Sequence, residues 1–451
     1  MFTDPELATL VTRIAELDVE ASGGRVIACS GAQLSATAPA GGLAVGDACL
    51  VAVRGIPAAG RALLAEVVRT EPGRVVLAPY DEPRGIATGS PVRRTGDALE
   101  LRPHAGWTGR VVDALGQPLD GRGPLPPGRR AAEVMAMPPA AFRRGGLGRR
   151  LTLGVRALDL FVPCCEGQRL GVFAGSGVGK SSLVSMIARQ ARADAIVVGL
   201  IGERGREVHE FVHHALGADG LARSVVVVAT SDAPAMLRRR AAHVTMAIAE
   251  SLRDEGLRVL CLFDSLTRFA AALRELRLAA GEPPSARGYP PGVFNELARL
   301  VERAGPAGSA GSITGVFTVL VDGDDMEEPV ADAARGLLDG HVVLDRRLAD
   351  KGRFPAVDVL RSLSRAAPGC YAADERALVV QARELLAAHA DMAELIQLGA
   401  YRAGSSPALD RAIALVPGIE RVLAQALDEP GGGICPFALL KDVLADAGGA
   451  P

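Results

Sequence analysis

The spacing of apolar residues changes several times along this chain, and each change predicts a different kind of structure. Over residues 5–18, Leu7, Leu10, Val11, Ile14 and Leu17 recur at i, i+3, i+4 and i+7 with charges between them. That period predicts an amphipathic helix within 1–20, which either packs on its own domain or docks a partner. From 21 to 97 the pattern shortens to runs of β-forming residues broken by glycine: Arg25–Cys29, Cys49–Val53, Leu63–Val68 and Arg74–Ala78. Regular short strands separated by turn residues predict a small closed β-barrel. Residues 98–145 lose periodicity in a Pro- and Gly-rich connector.

Within 98–365, continuous β-branched runs then alternate with helical stretches. They are Arg169–Ala174, Ala195–Leu200, Ser224–Ala229, Arg258–Phe263, Ile313–Leu320 and His341–Leu344. Runs without polar alternation predict strands buried on both faces of a mainly parallel sheet, an α/β domain. The last stretch, 366–451, is rich in Ala, Leu and Glu and predicts a C-terminal α-helical domain. The fold expected is therefore multidomain, with a barrel, an α/β domain and a helical domain in that order.

Composition sharpens one position. Lysine occurs three times against 47 arginines, and Lys180 closes the run Ala174-Gly-Ser-Gly-Val-Gly-Lys-Ser181. A compact ammonium can lie beside the β- and γ-phosphates of a nucleotide, where a planar guanidinium fits poorly. Gly175, Gly177 and Gly179 let backbone N–H groups around Ser176 and Val178 turn inward as a phosphate cradle. Ser181 offers a hydroxyl to Mg²⁺, and Ser182 opens a helix, 182–189, whose positive end faces the phosphates. The strict motif begins with Gly where this chain has Ala174, a small residue that still permits the turn. Strand, glycine loop, Lys-Ser and helix together point to a bound nucleoside triphosphate with Mg²⁺.

The remaining chemistry clusters around that loop. Arg258–Asp264 is an apolar strand ending in a carboxylate, the group such a fold needs beside Mg²⁺, usually through water. Gly202-Glu-Arg-Gly-Arg-Glu207 places Glu203, Arg204 and Glu207 at the expected C-terminal edge of the sheet, where ligands bind. Glu203 is the candidate for orienting attacking water, Glu207 for a metal-bound water, and Arg204 for the γ-phosphate. A surface ion-pair patch would have the same spacing. His209-Glu-Phe-Val-His213 matches H-E-x-x-H literally, but no third zinc ligand follows it, and coincidence explains it better.

Charge and length set the remaining bounds. At 451 residues the chain can hold roughly two to four domains, and a net charge of −2 advertises neither nucleic acid nor anionic lipid. The barrel segment has one aromatic, Tyr80, so stacking platforms for single strands are missing and no nucleic acid is expected. No apolar stretch approaches a membrane span, and Asp4 and Glu6 stand where a basic leader would be. Seven cysteines without CxxC spacing suit a reducing cytoplasm, most of them acting as small hydrophobes.

These residues resemble a known family. Gly202–Glu207, Asp264-Ser-Leu-Thr-Arg268, Tyr289-Pro-Pro, Gly323-Asp-Asp-Met326 and Pro355–Ser364 with its Ser-x-Ser end are similar to the rotary ATPase α/β superfamily. Within it, Gly171–Ser181 and Thr318–Asp325 most resemble the flagellum-specific ATPases of the flagellar type III export apparatus. The resemblance implies a RecA-like P-loop domain, with Glu203 as catalytic glutamate and Arg204 and Arg268 near the γ-phosphate. It places Asp264 and Glu207 on the Mg²⁺ shell, Phe354 against adenine, and Arg365 as an arginine finger acting on the neighbouring subunit. Phe354 stands where the family often has Tyr, and Ser182 where Thr is commoner.

Having both Glu203 and Arg365, a homohexamer of this chain could be catalytic at every interface. The resemblance further implies a stalk-like negative regulator bound by residues 1–18, and an export gate and substrate–chaperone complexes as partners. It implies a cytoplasmic place, peripheral to the inner-membrane export apparatus. A virulence-type secretion ATPase shares every catalytic motif. An RNA translocase of the transcription-terminator type would require the basic, aromatic-lined barrel that 21–97 lacks.

Overall fold

The computed structural model describes residues 24–445 apart from 31–32, 39–41, 54–61, 97–98, 141, 143, 307–310, 322, 324 and 430–434. The helix expected over 5–18 lies outside the described residues. Contacts divide the chain into two units, one built on residues up to Glu100 and the other on most of the remainder.

The first unit contains a closed barrel of β1 (Gly24–Ser30), β2 (Gln33–Thr37), β3 (Ala48–Ala52), β4 (Ala62–Glu71), β5 (Arg74–Pro79) and β6 (Pro91–Arg94). Their order is β1-β2-β5-β4-β3-β6, and every pairing is antiparallel. Alternation decides which side chains enter. In β4, Leu63, Ala65 and Val67 are buried while their neighbours are partly exposed. The Pro72-Gly73 turn joins β4 to β5, with Gly73 at φ 71°, a value that favours glycine. Tyr80 is buried and its hydroxyl donates to Glu66, so its ring faces the barrel wall and not solvent.

In the second unit the sheet runs β17-β16-β10-β15-β13-β11-β12-β7. These strands are β7 (Val111–Asp113), β10 (Arg169–Ala174), β11 (Ala195–Glu203), β12 (Ser224–Thr230), β13 (Arg258–Asp264), β15 (Ser312–Leu320), β16 (Gly340–Leu344) and β17 (Val357–Ser364), while β8 (Arg150–Leu151) pairs only with β9 (Cys164–Cys165) and β14 (Gly305–Pro306) flanks β15. All neighbours on this path are parallel except β16 and β17. The residues of β11 are buried without alternation, as expected for a strand covered on both faces.

Two features differ from the expectation. The connector contributes β7 to the sheet edge, where Val111 pairs with Val226. It is held by the half-buried pair of Arg110 and Asp120, whose carboxyl lies far below the usual range chiefly through the Arg110 hydrogen bond. Residues Val357–Ser364 form an additional, antiparallel edge strand. The C-terminal helices Ala373–Asp391, Pro407–Leu423 and Pro436–Ala445 share one hydrophobic core with the sheet, through Leu386, Leu415, Ile419 and Leu440.

One pair of cysteines also departs from its expected behaviour. Cys165 and Cys370, 205 positions apart, form a disulfide, which no spacing rule would have paired. Cys49, Cys164 and Cys261 are buried free thiols, and burial pushes the last two up to about 12. Among the described residues no helix is long and apolar enough to cross a membrane.

Candidate active site

β10 carries the chain to Ala174, and the helix Lys180–Gln190 leaves from the other side of the loop. Between them Gly177 and Gly179 take φ values of 77° and 100°. Side chains resist both values, so the glycines permit a turn that a Cβ would strain. Val178 is buried beneath the loop, whereas Ser176, Gly177, Ser181 and Ser182 are exposed on its open side.

Lys180 does not extend into solvent. It is 9% exposed, and its Nζ lies 2.5 Å from Asp264 Oδ1 and 3.3 Å from Glu203 Oε1. Asp264 ends β13 and Glu203 ends β11, its immediate neighbour in the sheet. Their strands therefore deliver both carboxylates to the same edge. Thr318, from β15 on the other side of β13, donates to Asp264 Oδ1 at 2.7 Å. Burial opposes the Lys180 charge, but Asp264 and Glu203 outweigh it and hold the ammonium above the ordinary lysine value. Burial raises Asp264 in turn, against the pull of Lys180 and with the push of Glu203. The arrangement is a buried cation clamped by two carboxylates, and anionic phosphate oxygens arriving at the loop would compete for it.

The surrounding residues divide by position. Arg268 lies over Gly202, where an added Cβ would come within 2.9 Å of its own Cβ. Its Nε is buried without a hydrogen-bond partner among the described residues, which is costly for a guanidinium until a ligand arrives. Arg204 and Glu207 instead pair with each other at 3.4 Å on an exposed face, outside the Lys180 cluster. His209 and His213 follow, their ring centroids 4.3 Å apart, with the chain passing into a π-helical turn at Phe211–Leu216. Among the described residues no group of three or more His, Cys, Asp or Glu is placed to hold a metal.

Phe354 is 47% exposed, and its ring would lie 3.7 Å from a Cβ on Gly179, so it flanks the loop. Its carbonyl accepts from the Gln425 N–H at 2.8 Å, and Gln425 Oε1 accepts from the Arg156 N–H at 2.9 Å. The segment after the helix Pro407–Leu423 thereby holds the Phe354 backbone beside the loop.

Arg365 is exposed at the opposite edge of the sheet. Its N–H donates to Asp339 O at 2.9 Å, and the Asp339 N–H donates to the carbonyl of Arg169, the first residue of β10. The phosphate loop begins after the last residue of that strand, about 16 Å away at 3.3 Å per residue. An arginine side chain cannot span that distance within one subunit.

Sequence reasoning missed two contacts. Thr318 lies in a quoted motif, yet nothing local assigns it to Asp264. Arg346, whose guanidinium reaches the loop at Ser176 O, carried no signal beyond its charge.

These residues fit a magnesium nucleotide. The glycine cradle, the clamped Lys180 and the unpartnered Arg268 Nε suit phosphates. Exposed Ser181, directly after Lys180 and its two carboxylates, suits an ion that keeps several waters and shares the substrate's phosphates rather than sitting in an all-protein cage.

Comparison with known proteins agrees with this geometry. Residues 154–364 match the nucleotide-binding domain of the ATP synthase alpha/beta family, and 38–96 match the same family's beta-barrel domain. Residues 371–432 match the T3SS EscN ATPase C-terminal domain. The chain is 49% identical to the flagellum-specific ATP synthase of Caulobacter vibrioides over 97% of its length and 99% of that protein's. It is 43% identical to the type 3 secretion system ATPase of Xanthomonas euvesicatoria over 97% and 98%. The assembled ATPase EscN from enteropathogenic E. coli superposes with a TM-score of 0.86 at 37% identity, covering 93% of this chain and all of EscN. EscN in complex with its central stalk EscO gives 0.84 at 36% identity, with the same coverage of both chains.

Proposed function

From the premise that this chain belongs to the ATP synthase alpha/beta family as a type III export ATPase, we propose that it serves flagellar export. In this reading it hydrolyses Mg·ATP in a homohexameric ring and drives substrate delivery and chaperone release. The observation that carries the catalytic assignment is the buried Lys180–Glu203–Asp264 cluster behind a glycine cradle, with Arg365 on the far edge of the same sheet. Identity of 49% to the Caulobacter flagellum-specific relative, against 43% to the Xanthomonas secretion ATPase, favours the flagellar branch.

The steps follow from the chain's own groups. Incoming phosphates draw Lys180 away from its two carboxylates, and the loop amides bind the oxygens. Glu203, released from Lys180, orients and polarises the attacking water. Ser181, Asp264 with Thr318 fixing one oxygen, and Glu207 would hold the Mg²⁺, partly through water. Bound Mg²⁺ supplies charge neutralisation on the transferring phosphoryl group. Arg268, and Arg204 once it leaves Glu207, stabilise the γ-phosphate oxygens, and Phe354 stacks on adenine. The neighbour's Arg365 completes the site.

Residues 1–18 are assigned to a stalk-like regulator, by analogy with EscN and EscO. The helical C-terminus is assigned to incoming substrates, at a cytoplasmic station beside the export gate.

Replacing Lys180 with alanine should abolish detectable turnover and weaken nucleotide binding, read by titration with a fluorescent ATP analogue. Unchanged affinity would remove Lys180 from the phosphate site. ATPase rate per subunit should rise with protein concentration as hexamers appear by mass photometry, and RNA should leave it unchanged. A constant rate from monomers would exclude shared sites, and RNA stimulation would favour a translocase. Restoration of motility in a strain lacking its flagellar ATPase tests the branch; rescue only of a virulence secretion system would reverse it.

A further inference from the structure

In the parallel pair of β10 and β16, Ala174 lies opposite Leu344, so both strands end at the same level of the sheet. Two residues further along each chain stand Ser176, inside the phosphate loop, and Arg346. The Arg346 Nη2 donates to the Ser176 carbonyl at 2.8 Å. Arg346 is well anchored for this contact. It opens the helix Arg346–Asp350, whose N-cap Asp345 accepts from the Arg347 N–H at 2.7 Å. The Asp345 N–H is bound in turn to Ala356 O at 2.9 Å.

A loop that turns its N–H groups inward turns carbonyls outward, and those carbonyls need donors from elsewhere. The Ser176 carbonyl belongs to the same peptide unit as the Gly177 N–H. A cationic donor on that oxygen polarises the N–H on the other side of the peptide, strengthening it toward an anion.

We propose that Arg346 is a positioning residue that holds and polarises the phosphate loop through the Ser176 carbonyl, without touching the nucleotide. The proposal rests on the nucleotide-site reading above. Because the contact acts on the cradle, its loss affects any nucleotide that places phosphates there, whether di- or triphosphate.

The test is equilibrium binding of fluorescent ADP and ATP analogues, with Mg²⁺, to full-length wild type, Arg346→Ala and Arg346→Met. The methionine variant keeps an apolar stem where alanine could perturb folding. Both variants should bind ADP and ATP about tenfold more weakly, as expected for losing one charge-assisted hydrogen bond at an exposed site. Turnover at saturating ATP should change far less than KM, and hydrogen exchange over residues 175–179 should accelerate without nucleotide. Arg346→Lys should recover part of the affinity, since an ammonium can donate once. Wild-type affinity in both Ala and Met variants overturns the proposal. So does a loss confined to ATP, which would mean direct γ-phosphate contact. If wild type binds neither nucleotide, the site reading fails and the proposal with it; failure of Arg346 alone leaves wild-type binding intact.

Discussion

Arg365→Ala is expected to lower turnover by about 10³- to 10⁵-fold, the range associated with losing an arginine finger, while each subunit still binds ATP. The expectation comes from where the residue sits. Arg365 is tied to Asp339 and through it to Arg169, at the start of the strand whose other end opens the phosphate loop. Within one subunit it cannot meet the γ-phosphate, and in a ring it can meet only a neighbour's. The decisive measurement mixes Arg365→Ala with Lys180→Ala protein. Neither is active alone, yet an interface pairing an intact Lys180 with a neighbour's intact Arg365 is complete. Random mixing in equal amounts makes roughly a quarter of the interfaces complete in a closed ring. Activity should therefore return in the mixture, and its absence from rings proven to be mixed would sink the trans assignment.

The second large effect is expected at Glu203. Glu203→Gln keeps the shape of the side chain and can still meet Lys180, but cannot polarise water as a carboxylate does. Turnover should fall by about 10²- to 10⁴-fold, the usual share of a positioned acid–base group. Nucleotide affinity should change little, because Asp264 remains beside Lys180 and the cradle is untouched. Single-turnover hydrolysis set against analogue binding separates the two quantities. A variant that hydrolyses at the wild-type rate would leave Glu203 as a partner of Lys180 and nothing more. One that loses binding in step with turnover would make it part of the phosphate site instead.

The two residues differ in how visible they were before the fold was known. Glu203, Asp264 and Lys180 each end or begin an element, and the elements are written locally as apolar runs punctuated by glycine. The order β10-β15-β13-β11 then brings the three together at one edge. Arg365 needed the resemblance to suggest a role, because a lone arginine after Ser364 has no local pattern that marks it. Only the backbone hydrogen bond to Asp339, itself bound to Arg169, shows that it sits at the end of β10 away from its own subunit's loop. Arg204 and Glu207, adjacent in sequence to Glu203, pair with each other on an exposed face and not with Lys180, an arrangement their closeness along the chain did not reveal.

What the sequence determined by itself was whatever depends on residues near one another in the chain. This includes the glycine loop, the strand and helix on either side of it, the carboxylates closing β11 and β13, the alternating barrel strands and the helical C-terminus. Local sterics and the period of apolar residues are sufficient causes for these. Tertiary structure alone decided the Thr318 bond to Asp264, the grip of Arg346 on Ser176, the Cys165–Cys370 pairing and the place of β7 at the sheet edge. Each joins segments separated by tens to hundreds of residues. Strand order and register make them neighbours, and those are set by the collective packing of the whole core, which no short window of sequence contains.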